Sequence, residues 1–226
     1  MIFFAAFAQR QRTAAVPLIK PSLLRNRGFT AGLILGLVFF ATVAGLLYAV
    51  SLFLQRGVGY SPERAAVTGF ALAAVGIVSA AVACMNLLTR LGRRLSLAGL
   101  VVTVGGVAVL ATIVAHSGTA ASAAELAPAM TLIGLGMGAT FSTIYDIAIG
   151  DIDPAEAGSA SGSLSSIQQL ANAIGAAAIT TIYFGALAGG PAHAMTLSLL
   201  TVIAIGVLSC LAIPLLPRHA QPAGPH

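Results

Sequence analysis

Asp146 is the only Asp, Glu, Lys, Arg or His inside the long apolar stretches of this 226-residue chain. A carboxylate in that setting can carry a proton or hold an ion pair. Burying one at the centre of a membrane costs about 2.5–3.5 kcal/mol on insertion scales, so it is a functional candidate by default. Asp146 stands about 6–7 Å of helical rise from the end of its stretch, where it can also reach the interface or pair with Arg90 or Arg93. Arg90, Gly92, Arg93 and Arg94 form a second constellation, a tight turn whose guanidinium groups can bond helix ends and carboxylates. A third is the polar stripe Ser165, Gln168, Gln169 and Asn172, in which helical spacing brings Ser165, Gln169 and Asn172 onto one face. Such amides line a cavity or hydrogen-bond a neighbouring helix. Phe39, Phe40, Tyr48, Phe141 and Tyr145 supply aromatic surface. Rings of this kind suit lipophilic or cationic ligands through apolar and cation–π contact, and serve equally for packing or contact with lipid.

Other chemistry finds little support. Cys84 and Cys210 both fall in apolar stretches, with no CxxC or Cys/His spacing, and read as small buried side chains. Gly134-Leu135-Gly136-Met137-Gly138 lacks the strand–turn–helix context and the third glycine offset of a nucleotide loop. There is no HExxH, no Ser/His/Asp set and no His or Glu within the apolar stretches, so the expectation is no enzyme, no metal and no cofactor. The chain has a net charge of +5, but its basic residues sit in short clusters between apolar runs and Trp is absent, which argues against nucleic acid.

The elements that must position these residues follow from composition. Hydrophobic residues make up 58% of the chain and charged ones 8%, against about 25% in a soluble domain. The mean hydropathy is +0.98. Such a chain cannot cover a globular surface, and its first partner is the lipid bilayer. Six runs (29–54, 65–88, 95–115, 126–149, 164–187 and 195–216) are each long enough to cross the hydrocarbon core. They lack strict alternation, and only helices satisfy their own backbone in lipid. The fold class expected is therefore an all-α membrane protein with a six-helix transmembrane domain over 29–216. Ser61-Pro62-Glu63 and Asp153-Pro154-Ala155-Glu156 both read as helix starts, the second with Glu156 placed to close a capping-box-like pair. Gly32/Gly36, Gly134/Gly138 and Gly185/Gly189 have the small-xxx-small spacing that lets helices approach closely.

Orientation follows from Lys and Arg alone. Nine of these residues (Arg10, Arg12, Lys20, Arg25, Arg27, Arg90, Arg93, Arg94 and Arg218) fall on one side, and two, Arg56 and Arg64, on the other. The bias places both termini in the cytoplasm of a multi-pass protein of the cell (inner) membrane. Residues 1–28 read as the end of a truncated helix followed by a cytoplasmic linker. The apolar start is too short to span, and its basic residues follow it, the reverse of a signal peptide. Residues 217–226 read as a disordered cytoplasmic tail.

Leu88-Thr89-Arg90-Leu91-Gly92-Arg93-Arg94 resembles the R-x-G-R-R element that major facilitator superfamily transporters carry after the second helix of each six-helix half. Pro21-Ser22-Leu23-Leu24-Arg25-Asn26-Arg27-Gly28-Phe29 is similar to the entry into a C-terminal-half helix in the superfamily's drug–proton antiporter branch with fourteen helices. The stretch from Asp153-Pro154-Ala155-Glu156-Ala157-Gly158 through Ala160-Ser161-Gly162 to Gln169 and Gly175 is similar to the same branch. The resemblance implies the C-terminal six-helix half of a proton-coupled exporter of small lipophilic or cationic compounds. It would work by alternating access, with Arg90, Gly92, Arg93 and Arg94 as a cytoplasmic gate. Asp146 would serve in proton coupling or in a gate ion pair. Phe40, Tyr48, Phe141, Tyr145, Gln169 and Asn172 would line the substrate cavity. The partners implied are protons, the substrate, and an N-terminal half or partner chain. One position departs from the branch: Gln168 stands where the branch often has Arg, so no role of that Arg carries over. The competing expectation is a half-length remnant or membrane assembly partner that does not transport.

Overall fold

The computed structural model describes residues 23, 26–84, 93–150, 152–154 and 156–212. Six helices in it are long and apolar enough to cross a membrane. Helix α1 runs Arg27–Leu52 and continues as a π turn, Phe53–Gly57. Helix α2 is built of Pro62–Ala66, a second π turn at Val67–Ala71, and Leu72–Cys84. Then come α3 (Arg93–Ser117), α4 (Ala123–Ile149), α5 (Ala157–Ala186) and α6 (Pro191–Ala212). No strand occurs among the described residues. The start of the chain, Arg90, Gly92 and the tail from 217 lie outside them, as does the Arg93 side chain.

The helix ends show why these residues begin and stop where they do. The Asn26 side chain accepts the Phe29 N–H at 3.0 Å and starts α1. Ser61 does the same for α2, accepting the Arg64 N–H at 3.3 Å, with Pro62 in the first turn where its missing N–H costs nothing. Helix α4 has a complete capping box: Ser122 Oγ accepts the Glu125 N–H, and the Glu125 carboxylate accepts the Ser122 N–H at 3.0 Å. The box expected at Asp153–Glu156 does not form. Glu156 is itself the N-cap of α5 and makes no side-chain cap bond, because 153–156 close into a turn with the Glu156 N–H on the Asp153 carbonyl at 2.7 Å. Helix α5 also starts seven residues before the apolar run at Leu164. Its early serines return their hydroxyls to the helix itself: Ser161 to the Gly158 carbonyl, Ser163 to Ser159 and Ser166 to Gly162. At the α5–α6 link Gly190 takes φ +95°, a conformation side-chain-bearing residues rarely adopt.

Close contacts at glycines fix the direction of each helix pair. Gly32 of α1 packs on Ala148 of α4, and Gly36 on Ile144, so partner numbers fall as the helix advances and the pair is antiparallel. Gly99 on Thr140 and Gly106 on Ile133 give the same sense for α3 and α4. Gly175 of α5 sits on Ala41 of α1 and Gly45 on Ile179, rising together; Gly134 and Gly138 of α4 sit likewise on Ala73 and Ile77 of α2. Those pairs are parallel. The chain therefore alternates direction at every helix. The third glycine pair behaves differently: among the described residues no helix packs on Gly185, and Gly189 meets only His193 at the start of α6.

Exchanging the first three helices for the last three maps the main contacts onto one another. The α1–α5 contact maps onto α4–α2, and α3–α4 onto α6–α1, while α1–α4 and α3–α6 map onto themselves. Three helices of alternating direction followed by three more make the two units inverted copies, the repeat architecture of many transporters. The core between them is apolar, with Phe39, Phe53, Leu54, Leu110, Met130, Ile133 and Ile144 buried. The outside is apolar as well: Val75, Val78 and Val82 of α2 and Leu200, Leu208 and Leu211 of α6 are exposed. The charged residues described lie near helix ends. An apolar exterior with charge only at its rims suits lipid rather than water.

Candidate functional site

The site grows from the place where α1, α4 and α5 meet. Gly36 of α1 leaves no side chain there; a Cβ in its place would lie 3.5 Å from Ile144 of α4 and 3.7 Å from Leu164 of α5. One turn on, Phe40 turns its ring toward α4. Phe141 and Tyr145 stand four residues apart on α4, the spacing that places them on one face. Gln168 stands one turn beyond Leu164 on α5.

These positions produce a continuous aromatic ladder. Phe39 and Phe40 meet edge to face, centroids 5.3 Å apart, and Phe40 meets Phe141 the same way at 5.6 Å. Phe141 and Tyr145 are stacked at 4.8 Å with 25° between their planes. Each such contact is worth about 0.5–1.5 kcal/mol beyond area burial. The ladder ends on a hydrogen bond in which the Tyr145 hydroxyl donates to Gln168 Oε1 at 3.2 Å. Phe39 and Phe40 are buried, whereas Phe141 is 39% exposed and Tyr145 and Gln168 are half-buried. The ladder thus starts in the core and opens on the bundle surface.

The residues expected to share a cavity divide accordingly. Phe40, Phe141 and Tyr145 come together. Tyr48, two turns further along α1, is exposed and makes no ring contact with them. Gln169 is exposed and Asn172 half-buried, and neither makes a hydrogen bond to a described residue. The amide that joins the rings is Gln168, one position from the expected Gln169. Only the relative rotation of α4 and α5 decides which of the two faces Tyr145.

Asp146 is exposed in the last turn of α4, where its backbone carbonyl accepts the Gly150 N–H at 2.8 Å. That puts its carboxylate at the rim that also carries the first turn of α3, with Arg94 exposed there. At the opposite rim, Arg56 lies 5.2 Å from the centre of the Phe184 ring and Arg64 4.0 Å from that of Tyr60. The second pair has the four-residue spacing visible in sequence; the first joins α1 to α5 and has no local signal. Nearby Tyr183 is fully buried, and its hydroxyl has no partner among the described residues.

The profile of the Major Facilitator Superfamily matches residues 5–176. Over 185 residues the chain is 37% identical to the "Probable actinorhodin transporter" of Streptomyces coelicolor, a match covering 82% of this chain and 32% of that protein. It is 27% identical over 231 residues to a puromycin resistance protein of Streptomyces alboniger, covering 94% of this chain and 45% of the relative. Against the "Probable transport protein HsrA" of Haemophilus influenzae it is 25% identical over 185 residues, 80% of this chain and 38% of the other. The chain therefore spans between about a third and a half of the length of these relatives, which are named for transport or resistance and not for an enzymatic reaction. With its six spans and its inverted three-helix units, this multi-pass membrane protein belongs to the Major Facilitator Superfamily.

Proposed function

We propose that the chain is the C-terminal six-helix half of a proton-coupled exporter of small lipophilic or cationic compounds. A second six-helix half, on the same polypeptide or a partner chain, completes the cavity, and the two halves rock to expose it to either side in turn. Both termini lie in the cytoplasm of the cell membrane, on the side favoured by the Lys and Arg bias. The observation that carries this reading is the 37% identity to a protein named as a transporter, sustained over 82% of the chain. The aromatic ladder supports it. Apolar ring surface that opens outward from a close-packed core suits a lipophilic ligand.

In this reading Phe40, Phe141, Tyr145 and Gln168 form the substrate wall of this half, with Tyr48, Gln169 and Asn172 on its margins. The turn of Arg90, Gly92, Arg93 and Arg94 closes the cytoplasmic side. Asp146 belongs to that closure as an ion-pair partner, because the terminal turn of α4 puts it at the rim and away from the midplane where a carried proton would cross. Everted vesicles from the source cells test the proposal. Uptake of Nile red, a neutral lipophilic dye, should depend on this gene, fall with Phe141→Ala and stop when a protonophore collapses the gradient. Uptake that survives loss of the gene, or that needs only ATP, would overturn it.

A further inference from the structure

The ladder has a chemical bias that lipophilic packing alone does not require. Gln168 spends its amide oxygen on the Tyr145 hydroxyl, while its Nε2 hydrogens donate to no described residue. Asn172 follows one turn along α5, and its amide also has no described partner. Unpartnered amide donors inside a membrane span are costly unless a ligand, water or another helix takes them. The tyrosine hydroxyl's own hydrogen is already committed. The wall therefore offers a partly exposed pair of stacked rings beside amide N–H donors. No charged side chain belongs to the ladder, since Asp146 lies a further 100° around α4 from Tyr145.

On the basis of the proposed cavity, we infer that this half selects uncharged, flat aromatic molecules bearing a ring carbonyl. The rings extend the Phe141–Tyr145 stack, and the carbonyl oxygen accepts from Gln168 Nε2. Flatness answers the stack, since a twisted molecule cannot lay its whole face on the end ring. The oxygen answers the free donors, which an oxygen-free hydrocarbon leaves unpaired.

Three probes separate these terms: acridone is flat with a ring carbonyl, anthracene is flat without one, and benzophenone has the carbonyl between twisted rings. Binding is measured on the protein purified from its own membranes into lipid nanodiscs, with partition into empty nanodiscs subtracted. Acridone should bind about fivefold tighter than either of the others, the worth of one amide hydrogen bond. Gln168→Leu should remove the acridone–anthracene difference, and Thr181→Val, exposed elsewhere on α5, should leave it. The comparison among probes needs no variant, so a Gln168→Leu protein that fails to fold does not decide the matter. If all three bind alike and Phe141→Ala weakens them together, the selectivity is refuted while a lipophilic cavity stands. If nothing binds above empty nanodiscs, or if Phe141→Ala has no effect, the cavity reading fails as well.

Discussion

Replacing Gly175 with alanine should loosen the bundle where α5 lies on α1. A Cβ at that position would sit on the Ala41 backbone, 2.5 Å from its carbonyl carbon and 2.6 Å from its Cα, with the carbonyl oxygen closer still. Overpacking of a close-packed interior costs about 1–3 kcal/mol. Alanine returns about 0.8–1.0 kcal/mol of helix propensity over glycine. The obstacle here is backbone, which no rotamer change relieves, so the upper part of the range applies and the net loss should be about 2 kcal/mol. That is up to about a 30-fold change in the folded-to-unfolded ratio. Gly105 on α3 is the internal comparison: nothing lies within 4 Å of the Cβ it would gain, so Gly105→Ala should be neutral or stabilising. Helix content followed by circular dichroism while SDS is titrated into detergent-solubilised protein measures both variants. Their midpoints should move apart, with Gly175→Ala below wild type. A Gly175→Ala midpoint at or above wild type would refute the parallel α1–α5 contact, and with it the placement of Phe40 against α4 and α5.

Three further outcomes follow from the same structure. Ser122→Ala removes the N-cap half of the α4 capping box and should cost about 1 kcal/mol in the same titration; no change would mean the box is not formed. Tyr145→Phe deletes the hydrogen bond that joins the α4 rings to α5, and should cost about 0.5–1.5 kcal/mol while leaving the ring stack in place, which near-ultraviolet dichroism can follow. For orientation, Ser61→Cys in a background without Cys84 and Cys210 should react with an impermeant maleimide added to intact cells. Asp153→Cys should react only after permeabilisation, and the reverse pattern would invert the assigned topology.

How much of this was legible in the chain depends on which physical constraint acts where. Lipid demands a run of about 20 apolar residues, so the six helices can be read off hydropathy. It also removes the contrast between inner and outer faces on which periodicity relies: Val78 outside and Val107 inside are the same residue type in opposite roles. Faces therefore had to come from packing. Gly32/Gly36 and Gly134/Gly138 were readable as contacts because close approach needs small residues, but the same spacing at Gly185/Gly189 has no helix on it among the described residues. Phe141 and Tyr145 share a face through their spacing alone, whereas Phe40 and Gln168 join them only through tertiary placement. Hydropathy starts the fifth apolar run only at Leu164, seven residues into α5, because the serines at 159–166 count as polar. In the helix several of those hydroxyls bond back to carbonyls three or four residues earlier, which hides their polarity from the membrane.

The central claim is that a second six-helix half completes this one, and native mass spectrometry of the complex isolated from source membranes tests it most directly. The chain itself weighs 22.6 kDa. The account predicts a complex of at least about twice that mass, with the additional part being six-helix sequence distinct from this one, whether joined to it or on a partner chain. A 22.6 kDa chain alone, or only copies of it, would contradict the account.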